Sequence, residues 1–137
     1  MRIHATCIAI EGRGVLLMGA SGSGKSDLAL RLIDRGAQLV SDDYTALEVV
    51  DGALIASPPE TISGKLEVRG IGIVAHDYLP SVTVALIVVC DAPVPRMPLE
   101  PLFETLMGVA IRRCAIAALE PSAPIKLELM LSTYTKA

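Results

Sequence analysis

The chain has 137 residues, of which 52% are apolar and only 3% aromatic, and its formal net charge is −3. This length is typical of one domain, so we expect residues 1–137 to form a single domain with a core of Val, Ile, Leu and Ala. The negative charge and the lack of a dense Lys/Arg cluster argue against a nucleic-acid partner. The longest apolar run, Val82 to Cys90, is too short to span a bilayer, which argues against a membrane partner.

Three cysteines, Cys7, Cys90 and Cys114, are widely spaced and lie in apolar segments. An odd number without a C-x-x-C pair argues against a disulfide framework or a zinc site, and fits a reducing compartment. No signal-peptide pattern precedes the first predicted strand. We therefore expect the protein to be cytoplasmic.

The first half of the chain divides into short apolar segments separated by turn residues. Strands are predicted over residues 5–10, 15–18, 37–41, 44–50 and 53–56. A helix is predicted from Lys25 to Arg35, because apolar residues recur at helical spacing and Gly36 follows as a C-terminal cap. Asp51-Gly52 between the last two strands is a strong hairpin signal.

The second half continues with apolar runs that are interrupted by proline. Segments with strand character cover residues 66–74, 82–90 and 114–119. Between the last two, four prolines predict an irregular stretch over residues 93–101, because proline interrupts both helix and strand pairing. Ser122 followed by Pro124 predicts the start of a C-terminal helix.

Residues 19–26 carry the complete phosphate-binding pattern G-x-x-x-x-G-K-[ST], between a predicted strand and a predicted helix. In such a loop the backbone N–H groups and the helix N-terminus attract phosphate, a lysine reaches the β- and γ-phosphates, and a serine holds Mg²⁺. The residues of this nucleotide-binding loop are Gly19, Ala20, Ser21, Gly22, Ser23, Gly24, Lys25 and Ser26. The sequence therefore predicts an α/β fold: a single P-loop domain with a mixed β-sheet and flanking helices.

Two places in the sequence could supply the magnesium carboxylate and a group that positions the acceptor. Asp91 ends the apolar run 82–90 like an ordinary Walker B residue, and the pattern alone slightly favours it. Asp42 and Asp43 follow the short strand at 37–41. Because neighbouring side chains of an extended chain face opposite ways, only one of the two should face the phosphates. The other is expected to cap a turn or face solvent.

Four segments in order resemble the catalytic domain of the HPr kinase/phosphorylase family, bacterial enzymes that act on a serine of the phosphocarrier protein HPr. They are His4, the loop ending Gly-Lys-Ser, the sequence LVSDD at 39–43, and the sequence LEVRGIGI at 66–73. The last segment is specific, because P-loop kinases in general do not carry it. The resemblance covers about the first three-quarters of the chain, and the chain resembles the short form that lacks the family's N-terminal domain.

That resemblance implies a Mg-ATP-dependent serine kinase acting on an HPr-like phosphocarrier of the phosphotransferase system, with phosphorolysis of phosphoserine as a reverse reaction. It implies that Asp43 accepts the serine proton with His4 beside it, and that Arg96 contacts the transferred phosphate. The implied catalytic residues are His4, Lys25, Asp43, Arg69 and Arg96, and the implied magnesium ligands are Ser26 and Glu67. The resemblance also implies a homo-oligomer, as a hexamer.

The last third of the chain departs from the family pattern. It lacks the proline-, glycine- and arginine-rich segment that is associated with dephosphorylation, so the resemblance supports the kinase direction more than its reversal. Two alternatives stay open at this point. One is a regulatory module that senses a nucleotide without transferring phosphate, and the other is a P-loop kinase of a small molecule.

Overall fold

The structure is a computed structural model that describes residues 1–98 and 100–135. Its elements are β1 (Arg2–Ile10), β2 (Arg13–Met18), α1 (Lys25–Asp34), β3 (Gln38–Ser41), β4 (Tyr44–Val50), β5 (Ala53–Ser57), β6 (Lys65–Val68), β7 (Gly72–Ala75), β8 (Val82–Val89), β9 (Leu102–Leu106), β10 (Val109–Ala115) and α2 (Ala123–Tyr134). Neither α1 nor α2 is long and apolar enough to cross a membrane, and no other helix of the described residues is either.

Eight of the strands form one mixed sheet, as predicted. The pairing order is β2-β1-β4-β5-β8-β10-β9, with β3 added beside β1. β8 runs parallel to both β2 and β10, whereas the other pairs of this sheet are antiparallel. Since β2 also pairs with β8, the strands β2, β1, β4, β5 and β8 close into a ring. The strand that leads into the glycine-rich loop is therefore held on both edges.

Alternating side chains of the central strands fill two separate cores. Leu17 of β2 and Val88 of β8 pack on one side with Leu28 of α1, in a cluster that also takes in α2. Leu16 and Ile87, their neighbours in sequence, pack in a second cluster among the strands of the ring. Full burial of each such leucine or isoleucine contributes about 1.5–3 kcal/mol. Both helices therefore pack on the same core cluster, and the ring strands enclose the other.

The prediction of a last strand over 114–119 is wrong in its boundaries. The structure has a hairpin of β9 and β10 instead, turning at Met107 and Gly108, which have φ values of 50° and 81°. Residues 116–121 form the connection from β10 to α2. The apolar residues that suggested a strand there are buried although they are not in a strand. Ile116 and Ala118 pack in the core on the helix side.

The strands β6 and β7 form a separate two-stranded hairpin, in which Glu67 lies opposite Ile73. Leu66 is the buried side chain of this hairpin, whereas Ile71 and Ile73 are more than two-thirds exposed. An isolated two-stranded hairpin is marginally stable in water, so its position depends on what it contacts. The contacts that hold it belong to the site described next.

The thiol of Cys7 in β1 makes the stability of the fold depend on pH. Burial raises the pKa of Cys7 to about 12, whereas the same thiol ionises near 9.0 in the unfolded chain. Above about pH 9 the unfolded state loses a proton that the folded state keeps, so the free energy of unfolding falls as pH rises. Between pH 8 and 10 we expect the wild type to lose about 1 kcal/mol more than Cys7→Ala. Urea unfolding of both proteins measures this difference, and equal losses would contradict it.

Candidate active site

The loop of residues 19–26 leaves the end of β2 and enters α1, and a side chain at two of its glycines would be strained. Gly19 has a φ of 145°, and a Cβ there would come within 2.8 Å of the Ser23 Oγ. Gly24, at φ 99°, is the N-cap of α1, and its Cβ would come within 2.8 Å of a methyl carbon of Leu119. The sequence pattern of the loop therefore matches a backbone that only glycine adopts readily at these positions.

Lys25, the first residue of α1, is 6% exposed and folds back over the loop. Its Nζ donates hydrogen bonds to the carbonyl oxygens of Gly19 and Ala20, at 2.7 and 3.0 Å. An ammonium group has three N–H donors, so one remains for a further acceptor. The loop thus positions a buried positive charge at the N-terminus of a helix, where an anion is also favoured by the helix dipole.

The pairing of β1 brings Asp42 and Asp43 beside the loop. Ser41 at the end of β3 pairs with Cys7 of β1, and Tyr44 at the start of β4 pairs with His4 of the same strand. The two aspartates form the step between β3 and β4. They therefore lie against Thr6, one of the two β1 residues between these pairs.

Asp42 is 5% exposed, so the expectation that one aspartate would cap a turn or face solvent does not hold for it. Its Oδ1 accepts hydrogen bonds from the Ser26 and Thr6 hydroxyls, at 2.6 and 3.0 Å. Its Oδ2 accepts one from the Glu67 N–H at 2.9 Å. Asp42 therefore joins the strand β1, the helix α1 and the hairpin β6–β7. Sequence reasoning did not assign this residue a role, although its place next to Asp43 was a signal.

Asp43 adopts a φ of 68°, in the left-handed region that aspartate enters more readily than most residues. This departure from the strand conformation breaks the alternation of side chains, so that Asp43 as well as Asp42 is directed toward the site. The backbone N–H of Asp43 donates to the Thr6 Oγ1 at 3.1 Å. The His4 Nε2 lies 2.9 Å from the Asp43 Oδ1 and can donate a hydrogen bond to that carboxylate. Asp43 is thus held from two sides while its side chain stays about half exposed.

A cavity of about 660 Å³ brings most of the predicted site residues together. Its lining includes Lys25, Ser26, Asp43, Glu67 and Arg69. The loop and α1 form one wall, and the hairpin β6–β7, held through the Glu67 N–H, supplies Glu67 and Arg69. The structure therefore collects side chains from four separate parts of the chain into one concave surface.

Two predicted catalytic residues do not line this cavity. His4 reaches it only through Asp43, as described above. Arg96 is exposed in the irregular segment after β8, and it is not among the cavity residues. The structure thus groups His4 with the site and leaves Arg96 outside it.

Asp91, the competing Walker B candidate, contacts the base of the loop rather than the cavity. Its Oδ2 accepts a hydrogen bond from the Ala20 N–H at 2.9 Å. A Cβ on Gly19 would also come within 3.2 Å of the Asp91 Oδ1. Of the two candidate positions, the Asp42–Asp43 pair is the one that contacts Ser26 and reaches the cavity.

The side chains near Ser26 suit a hard divalent cation such as Mg²⁺. Ser26 and Glu67 offer oxygen ligands, and the Ser26 proton is directed to Asp42, which leaves the lone pairs of its oxygen free. Within residues 1–98 and 100–135, no group of three or more His, Cys, Asp or Glu side chains could hold a metal alone. Mg²⁺ at phosphoryl-transfer sites is typically held by one or two protein ligands together with substrate phosphates, so these residues fit.

The first part of the chain matches a known protein family. The family model described as HPr Serine kinase C-terminal domain matches residues 1–79, which is more than half of the chain and contains every predicted site residue except Arg96. The chain belongs to this family.

The similar proteins match different lengths of this chain. Over 73 residues, or 53% of this chain, it is 48% identical to the HPr kinase/phosphorylase of Clostridium tetani and 47% identical to that of Clostridium acetobutylicum. The chain spans about a quarter of the length of these curated relatives, since 24% of each is covered. The solved structure of the Hpr(Ser) kinase/phosphatase from Coxiella burnetii is 30% identical, with a TM-score of 0.81, and the match covers 98% of this chain and 90% of that one. These relatives are named as enzymes, and the fold of the Coxiella burnetii protein extends over nearly the whole chain.

The fully buried hydroxyl of Thr6 connects the two aspartates, because it donates a hydrogen bond to the Asp42 Oδ1 and accepts one from the Asp43 N–H. We expect Thr6→Val, which keeps the shape and removes the hydroxyl, to lower the free energy of unfolding by about 1–3 kcal/mol. Chemical denaturation measures the change. Thr83→Val, on an exposed position of β8, is the control and should stay within about 0.5 kcal/mol of the wild type. A Thr6 variant as stable as the control would show that this hydroxyl does not support the Asp42–Asp43 step.

Proposed function

We propose that residues 1–137 form one P-loop kinase catalytic domain that transfers a phosphoryl group from Mg-ATP to a serine of an HPr-like phosphocarrier of the phosphotransferase system. The observation that carries the proposal is the Asp43 carboxylate, paired with His4, in the same cavity as Lys25 and Ser26. The names of the relatives point to the acceptor. The glycine-rich loop provides the phosphate site, and Asp43 provides the group that faces the acceptor.

At the phosphate end, the loop amides and Lys25 bind the phosphates of ATP. Ser26 and Glu67 would hold a magnesium ion, and Asp42 keeps the Ser26 oxygen in position by accepting a hydrogen bond from its hydroxyl. Such an ion would supply Lewis-acid neutralisation of the negative charge that develops on the phosphates. Arg69, which lines the same cavity, adds a positive charge on the side of the hairpin. Most of the rate then comes from positioning and electrostatics.

At the acceptor end, Asp43 orients the serine hydroxyl and takes its proton late in the reaction. The serine oxygen bonds to the γ-phosphorus as the bond from that phosphorus to the bridging oxygen of ADP breaks. The hydrogen bond from His4 holds the Asp43 carboxylate in position. In the reverse direction an oxygen of inorganic phosphate bonds to the phosphorus of phosphoserine as the bond from that phosphorus to the serine oxygen breaks. Asp43 gives the serine oxygen a proton that it takes from the attacking phosphate, and pyrophosphate is released. Arg96 enters this scheme as a phosphate contact through the family resemblance alone.

We also propose that the protein acts as a homo-oligomer, as a hexamer by family resemblance. Support comes from apolar side chains at the surface. Ile71 and Ile73 on the hairpin are 77% and 73% exposed, and Phe103 on the edge strand β9 is 61% exposed. Large exposed apolar side chains are typical of surfaces that other subunits cover.

The proposed function is tested by the intact mass of an HPr-type carrier after incubation with the protein and Mg-ATP. Addition of one phosphate, mapped to a single carrier serine, is the expected result. Binding of Mg-ATP without addition to the carrier would overturn the proposal and favour the nucleotide-sensing module. Consumption of ATP only with a small-molecule acceptor would favour the third alternative.

A further inference from the structure

The cavity at the glycine-rich loop has an apolar part that phosphate chemistry does not use. Leu119 and Leu30 both line it, and they are 68% and 36% exposed. Most of the other lining residues belong to the phosphate loop or are charged or glycine residues of the hairpin. Two exposed leucines beside a phosphate site are therefore suited to contact an apolar group of the ligand.

The backbone on both sides of Leu119 is held in place by hydrogen bonds. Arg31 of α1 donates hydrogen bonds to the carbonyl oxygens of Ala118 and of Glu120, the latter at 3.0 Å. The same guanidinium is held by Asp27, whose Oδ2 accepts from the Arg31 Nε at 3.0 Å. Arg31 thus fixes the residues on both sides of Leu119 to the helix that begins at the phosphate loop.

The leucine side chain lies directly against that loop. A Cβ placed on Gly24 would come within 2.8 Å of the Leu119 Cδ2 and 3.2 Å of the Ala118 Cβ. Gly24 is the residue just before Lys25 and caps the helix. An apolar contact surface therefore begins at the edge of the phosphate site, in a cavity whose volume of about 660 Å³ lies within the range of small-molecule sites.

We propose that Leu119, together with Leu30, is the contact surface for the base of the bound nucleotide. This inference rests on the proposed function and adds the position and the chemistry of base recognition. A nucleoside triphosphate has a charged end and, at the other end, a flat base whose faces are apolar, and the cavity offers a matching arrangement of a charged loop beside two leucines. Arg31 is a positioning residue in this scheme, since it touches the connection that carries Leu119 and not the cavity itself.

The experiment compares a ligand that carries a nucleoside on its triphosphate with a ligand that is the triphosphate alone. Dissociation constants for ATP and for inorganic tripolyphosphate, both with Mg²⁺, are measured for the wild type and for Leu119→Ala. We expect Leu119→Ala to weaken ATP binding about tenfold, a size typical of a lost apolar pocket contact, and to leave tripolyphosphate binding within about twofold. Leu119→Met should bind ATP about as tightly as the wild type does, because the volume of methionine is similar to that of leucine.

Leu129→Ala is the matched control, since Leu129 is an equally exposed leucine on α2 that does not line the cavity. It should bind both ligands as the wild type does. Equal weakening of ATP and tripolyphosphate by Leu119→Ala would overturn the inference, because the leucine would then only support the loop. Unchanged ATP binding would overturn it as well. Wild-type protein that binds neither ligand would instead overturn the proposed function.

Discussion

Lys25→Ala is expected to slow phosphoryl transfer to the carrier about 100- to 1,000-fold, the loss typical of removing one group that stabilises charge in the transition state. Lys25 is the buried positive charge of the loop, and its Nζ also holds the carbonyl oxygens of Gly19 and Ala20. Its replacement removes the cation that would contact the transferred phosphate. The rate is measured from the intact mass of the carrier over time.

The control for this variant is Lys126→Ala, on the exposed surface of α2. Lys126 forms an ion pair with Glu120, and exposed pairs of this kind contribute little to stability. It should therefore transfer phosphate at about the wild-type rate. Thermal unfolding of both variants separates a lost catalytic group from a lost fold. A folded Lys25→Ala protein with wild-type activity would exclude the loop as the phosphate site.

Asp43→Asn is expected to slow the same reaction about 100- to 10,000-fold, the range by which a positioned general base accelerates a reaction. Asparagine keeps the size of the side chain and tolerates the φ of 68°, but it cannot accept the proton of the serine hydroxyl. Binding of Mg-ATP should change little, because the phosphate loop is intact. Transfer rate and nucleotide affinity, measured on one preparation, show whether only the chemical step is lost.

Asp51→Asn is a closely matched control for this second variant. Asp51 is an exposed aspartate that also adopts a positive φ, 51°, and it lies in the turn between β4 and β5, outside the cavity. The substitution therefore repeats the change of charge and the backbone requirement without touching the site. If the Asp43 and Asp51 variants kept the same activity, Asp43 would not be the proton acceptor.

The glycine-rich loop could be predicted from the sequence because its requirements are local. The positive φ values of Gly19 and Gly24, the lysine and the serine are all encoded within eight consecutive residues. Glu67 and Arg69 could be placed with the loop only through the family motif. Periodicity alone predicts that they share one face of a strand, and an exposed ion pair would satisfy that pattern equally well. In the structure β6 ends at Val68, and Arg69 lies in the turn that follows.

The local pattern of residues did not settle the choice between Asp91 and the Asp42–Asp43 pair. It slightly favoured Asp91, which follows the longer apolar strand, and only the family resemblance pointed to Asp43. The pairing of β3 and β4 with the same strand β1 brings Asp42 to Ser26, whereas Asp91 contacts Ala20 at the base of the loop. The alternation rule failed at Asp43, because its positive φ is a feature of the backbone that an aspartate permits but does not require.

The glycine-rich loop pattern, the mixed α/β fold and the family could be read from the sequence, since each rests on residues that are close together in the chain or on a motif of fixed order. The buried position of Asp42, with its hydrogen bonds to Ser26, Thr6 and Glu67, and the contact of Leu119 with Gly24 could be seen only in the folded chain. Leu119 is also beyond the residues that the family model matches. Contacts between distant segments depend on how strands pair and how a connection such as 116–121 packs, and no local pattern of residues specifies them.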